Sequence, residues 1–163
     1  MRITRRAFVA GAAILTAGIV LSAGTVLYLP SPANNYKVLS FREVEVVTAL
    51  ADTFFPGDPF PLSGTEAGVV LQVDHIMNEL LVGPKKVGMR YLLHFVNWST
   101  IYTDGKRFVE LTSKRRKEVL DQLSKPEGFP VIISAIKAFF GMAYFNHPII
   151  KEHIGYYSLC YKD

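Results

Sequence analysis

The chain has 163 residues and a mean hydropathy of +0.22, room for one apolar segment and one compact domain. Three of its 18 basic residues, Arg2, Arg5 and Arg6, precede the apolar segment, which leaves 15 against 14 acids in the rest. A domain so nearly neutral lacks the electrostatic footprint of a nucleic-acid binder, and the lone cysteine, Cys160, excludes an intramolecular disulfide.

The first element is the uncharged run Ala7 to Leu29, 23 residues long. A helix needs roughly 20 apolar residues to cross a bilayer, so this run is expected to form a single transmembrane helix. Its arginine flank places the N-terminus in the cytoplasm by the positive-inside rule. The flank Thr4-Arg5-Arg6-Ala7-Phe8 also has the pattern of a twin-arginine export signal, with Arg5, Arg6 and Phe8 as its marks. The nearest small-residue cleavage candidate, Ser22-Ala23-Gly24, is not sharp and apolar residues continue past it, so an uncut anchor is expected. Residues 1–29 are then signal or anchor, 30–38 a proline-containing linker, and 39–163 a domain outside the cytoplasm.

That domain reads as all-α, a compact bundle of about five helices, because no segment alternates with period two. Ser40 and Glu43 form a capping box, with Leu39 and Val44 at the hydrophobic-staple positions. Val44, Val47, Leu50, Ala51 and Phe54 make an apolar stripe, with Arg42, Glu43 and Glu45 expected outward. Phe55-Pro56 ends this helix. Ser63 and Glu66 repeat the capping box and predict a second helix to about Leu81, closed by Gly83. Pro84 suits the first position of a third helix, to about Tyr102, rich in aromatics such as Tyr91, Phe95 and Trp98. Thr112 is a plausible N-cap for a fourth helix to Leu123. Its block Lys114-Arg115-Arg116-Lys117 reads as a solvated face or a contact for anionic head groups. Pro130 opens the most apolar helix, to about Phe145, with Lys137 its only charge. A helix apolar nearly all round is central to a core or covered by a partner. A short helix near Ile149–His153 and an aromatic tail follow.

The search for chemistry returns no catalytic set. His75, His94, His147 and His153 contain no pair at the spacing of a helical zinc site, and no haem-attachment motif is present. Met77, Met89 and Met142 at helical spacing suit core filling better than haem ligation. Asp52 and Asp58, beside a proline turn, suit turn and capping roles. No phosphate loop or Gly-x-Ser-x-Gly occurs. A haem held through His147 or His153 stays open as a different class of reading.

Several phrases together resemble one family, the small third subunit of membrane-bound gluconate 2-dehydrogenase. They are Leu39-Ser40 through Ala49-Leu50-Ala51-Asp52 to Pro56; Glu66-Ala67-Gly68-Val69; and Gly105 and Phe108 with Leu111, Arg116 and Leu120. Ala143-Tyr144-Phe145-Asn146-His147-Pro148 and Gly155-Tyr156 complete the set. The tail departs from the family pattern at Tyr157-Ser158. The resemblance implies an accessory, non-catalytic subunit that binds, stabilises and helps export or tether a flavin-dependent dehydrogenase of the glucose-methanol-choline type. Electrons would pass to a cytochrome c subunit or quinone. FAD and haem c are then expected in partner subunits and no cofactor, metal or catalytic residue in this chain. The implied location is the bacterial inner membrane, single-pass, with a periplasmic domain. The candidate partner interface is Phe139, Phe140, Tyr144, Phe145, Tyr156 and Tyr157. The alternative is a structural subunit of another membrane electron-transport complex, its helix packed on integral subunits.

Overall fold

A computed structural model describes residues 30–156. The expected anchor, the marks Arg5, Arg6 and Phe8, and the tail with Tyr157 and Cys160 lie outside the described residues. The described residues form seven helices: α1 Phe41–Phe54, α2 Val69–Leu80, α3 Pro84–Trp98, α4 Ile101–Asp104, α5 Ser113–Leu123, α6 Pro130–Tyr144 and α7 Pro148–His153. A 3-10 turn, Phe108–Glu110, sits between α4 and α5. Five of the seven have more than ten residues, so the all-α bundle is as expected. Among the described residues the only β pairing is an isolated bridge between Pro56 and Ser63. No helix among them is long and apolar enough to cross a membrane.

The bundle is arranged around α1, which packs on α2, α3, α5 and the 3-10 turn, while α6 packs on α2 and α5. Val46, Val47 and Leu50 of α1 meet Val73 and Met77 of α2, Leu93 and Val96 of α3, and Ile136 and Phe140 of α6 in one buried cluster. The capping box at α1 forms: Glu43 accepts from the Ser40 backbone N–H at 2.7 Å and from its hydroxyl at 2.6 Å. Glu43 does not face outward, however. It is fully buried, and Arg90 of α3 donates to it through Nε at 2.7 Å and Nη2 at 2.8 Å. The local apolar stripe could not show this, because the partner cation lies 47 residues away.

Only the first part of residues 30–38 resembles a linker. Asp74 of α2 is buried, and its carboxylate accepts the backbone N–H groups of Lys37, Val38 and Leu39 at 2.8, 2.9 and 2.9 Å. These bonds satisfy donors that burial would otherwise leave unpaired.

The Ser63–Glu66 pattern makes its reciprocal bonds, at 2.8 and 3.2 Å, but no helix starts there. It closes a tight turn. Gly68 then adopts φ +65°, which an α-helix excludes, and α2 begins only at Val69. Gly64 in this turn presses on α1: a Cβ there would lie 2.5 Å from the Ala51 backbone. Asp52 reinforces the contact by accepting from the Thr65 N–H and hydroxyl, both at 2.8 Å, in a capping role.

Two helix ends also differ from expectation. Gly83 does not cap α2, which stops at Leu80; it precedes Pro84 at the start of α3. The third helix ends at Trp98 rather than Tyr102. Thr100, buried, turns its hydroxyl onto the Lys106 carbonyl at 2.7 Å and closes a separate loop around α4.

An aromatic cluster joins the end of α1 to the end of α6. Tyr144 stacks flat on Phe55 at 3.9 Å, Phe60 meets both rings edge-on, and Phe54 meets Phe140 edge-on at 5.7 Å. The Tyr144 hydroxyl donates to the Leu62 carbonyl at 2.7 Å. Tyr144→Phe should therefore cost about 1 kcal/mol, the value of one hydrogen bond. Tyr144→Ala should cost about 3–5 kcal/mol through cavity formation, with urea unfolding as the measurement.

Candidate partner-docking surface

Among the described residues, the outer side of α6 is left exposed. The helix turns Ile133, Ile136, Phe139, Phe140, Ala143 and Tyr144 into the core. On the opposite side Val131 is 81% exposed, Met142 53% and Phe145 41%. With Ala135 and Ala138, also exposed, these recur at intervals of three or four residues and form one outward stripe. Ser134, Lys137, Ala138, Gly141, Met142 and Phe145 line a shallow, mostly apolar depression along it.

Gly141 has no role in the interior. A Cβ there would touch only the Phe145 ring at 3.8 Å, an ordinary contact. Glycine within a helix nevertheless costs roughly 0.5–1 kcal/mol relative to alanine. Its open side faces the depression, where it permits close approach from outside. Such a surface takes an amphipathic helix or another apolar face.

The expected interface residues divide in two. Phe139, Phe140 and Tyr144 are buried in the domain's own core, so structural roles replace the expected partner contact: Phe140 packs on Phe54 of α1 and Tyr144 stacks on Phe55 just past it. Phe145 lies on the outward stripe, and Tyr156 is 62% exposed beyond α7. Tyr157 is outside the described residues. The stripe residues missed by sequence reading, Val131, Ala135 and Ala138, carried one available signal: small residues at helical spacing beside bulky neighbours.

The four-cation block of α5 is divided by its contacts. Arg115 pairs with Asp104 at 2.7 Å and with Glu118 at 2.9 Å. Arg116 donates to the carbonyls of Phe108 at 3.2 Å and Val109 at 2.6 Å, and lies over the Phe108 ring. Lys114 and Lys117 are exposed. The block thus holds α5 to the turn before it.

The described residues contain no group of three or more His, Cys, Asp or Glu side chains able to hold a metal ion. His147 caps the start of α7, with Nδ1 buried and lacking a hydrogen-bond partner, and His153 is exposed at the other end of that helix. No donor set converges there.

Glu43 carries the largest perturbation of a carboxylate and is the natural suspect for chemistry. Burial opposes its ionisation, but hydrogen bonds from His94, Arg90 and Ser40 outweigh burial and hold it at about 2, against an ordinary 4.5. His94 Nε2 lies 3.2 Å from Oε1. The carboxylate is occupied on both oxygens and has no side open to a substrate, so it joins α1 to α3.

The family model for Gluconate 2-dehydrogenase subunit 3 matches residues 42–160. The chain belongs to that family, whose description is of one subunit of a dehydrogenase. Comparisons with curated proteins and with solved structures each give no match.

Folded Glu43 binds a proton less readily than the unfolded chain does. Its contribution is complete above about pH 4.5 and is lost as pH falls toward about 2. Urea unfolding across that window should show a loss on the order of 3 kcal/mol from this group. Glu43→Gln should be less stable at neutral pH and should lose that share of the acid dependence.

Proposed function

We propose that this chain is the accessory, non-catalytic small subunit that binds and stabilises a flavin-dependent dehydrogenase and helps export it or tether it to a membrane. The observation that carries the reading is the outward stripe of α6, set on a helix whose other face is fully used by the core. Exposing a contiguous apolar surface to water forgoes roughly 25 cal/mol for each Å² that a partner would cover, and such patches mark interaction sites. The family match supports a dehydrogenase subunit as that partner. FAD belongs to the catalytic subunit on this reading, and haem c to a cytochrome subunit that takes its electrons toward quinone. The residues of this chain then contribute surface rather than reacting groups.

Residues 7–29 and their arginine flank act here as export signal and membrane anchor, with the helical domain on the periplasmic side of the inner membrane. The uncharged length of that run and the placement of Arg2, Arg5 and Arg6 support this part.

A C-terminally tagged full chain, drawn from mild-detergent extracts of its host, should bring down a flavin-containing subunit that mass spectrometry identifies. Ala138→Arg, on the exposed side of α6, should cut recovery of that subunit at least tenfold while the melting temperature moves by no more than a few degrees. Equal recovery with wild type and variant would remove α6 from the interface. A chain that purifies without any flavoprotein would remove the accessory role itself.

A further inference from the structure

We infer that the strap leading into α1, residues 33–42, is the face of the domain that lies on anionic lipid head groups. This rests on the reading above that residues 7–29 are retained in a membrane, and it adds which surface meets the lipid.

The first argument is chain length. Asp74 fixes the backbone of Lys37, Val38 and Leu39 to α2. Ala33 is drawn to the same place, because its N–H donates to the Leu39 carbonyl at 2.9 Å and its carbonyl accepts from Tyr36 at 3.0 Å. Only Pro30, Ser31 and Pro32 then separate Ala33 from Leu29, the last residue of the apolar run. The four Cα–Cα steps from Leu29 to Ala33 reach at most about 14 Å. The polar layer on one side of a bilayer is about 5–8 Å thick. A run that ends at the hydrocarbon boundary therefore keeps the strap in the head-group layer or within several Å of it.

The second argument is chemistry. Phe41, 70% exposed, opens α1, although a phenylalanine in water contributes nothing to the core. Lys37 and Arg42, the charged residues on either side, are both exposed, and Tyr36 is half-buried between them and the turn at Asn35. No acidic residue occurs from Pro30 to Arg42. Aromatic rings among cations are what the head-group layer of an anionic membrane accommodates. The basic block of α5 is the rival surface, but two of its four cations are already engaged within the domain.

The test uses the full chain carrying Cys160→Ser and Phe41→Cys, labelled at position 41 with an environment-sensitive fluorophore. It is reconstituted in vesicles of phosphatidylcholine and phosphatidylglycerol. The label should be quenched by brominated acyl chains and be several-fold less accessible to aqueous iodide than the same label on Lys117→Cys of α5. Adding Lys37→Glu and Arg42→Glu, or omitting phosphatidylglycerol, should restore iodide access at position 41. Free access of iodide to position 41 in a chain that resists alkaline extraction would overturn the strap as the lipid face and leave the anchor standing. The same access, lost only when the flavoprotein subunit is added, would assign the strap to a protein partner instead. Release of the chain by alkaline extraction would overturn the anchor, and this inference with it.

Discussion

Two buried carboxylates determine how this chain begins its fold. Asp74 gathers three consecutive backbone N–H groups, and Glu43, four residues past the last of them, takes the guanidinium of Arg90 together with the Ser40 cap. Neither charge could be buried alone, since an ion removed from water costs several kcal/mol unless its lone pairs are met. Met in this way, each becomes directional. Asp74 sets the segment before α1 on α2, and Glu43 sets the first turn of α1 on α3. The central helix is thus fixed at its start by polar geometry and along its length by Val46, Val47 and Leu50, which do not discriminate between neighbouring registers so sharply.

Local signals in the sequence carried the helices and failed where a distant residue decided. The Ser40–Glu43 and Ser63–Glu66 patterns are alike, and both make their bonds, yet only the first starts a helix. The difference is Gly68, whose positive φ lets the second turn close on itself before α2 begins. Its sequence neighbours Arg42 and Glu45 point Glu43 outward. What draws it inward is Arg90 with His94, a pair spaced by one turn on another helix. A buried ion pair of this kind leaves no local mark beyond a cation amid apolar residues.

The docking surface illustrates the same division. The apolar character of α6 was evident, and it implied either a central place or a covered one. Both turned out to describe the same helix on opposite sides. Phe139, Phe140 and Tyr144 fill the bundle, while the smaller residues and Phe145 remain outside. Bulk alone misleads on this point: the largest rings suit the tightest interior, where shape is fixed by the chain itself, and the outer depression is lined by Ala138 and Gly141. The inner side of this helix is spent on the fold, and its outer side leaves an apolar stripe in water.

The stack of Phe55 on Tyr144 also bears on how the protein is made. Its hydroxyl bond spans 82 residues, from Tyr144 back to Leu62, and the flat ring pair covers a nearly equal span. Synthesis proceeds from the N-terminus, so Phe54, Phe55 and Phe60 emerge long before the residues that cover them. A nascent chain carries that uncovered aromatic edge until α6 has been translated, about 80 residues later. Folding of this domain is in that sense an act of completion, closed only when the last long helix meets the first.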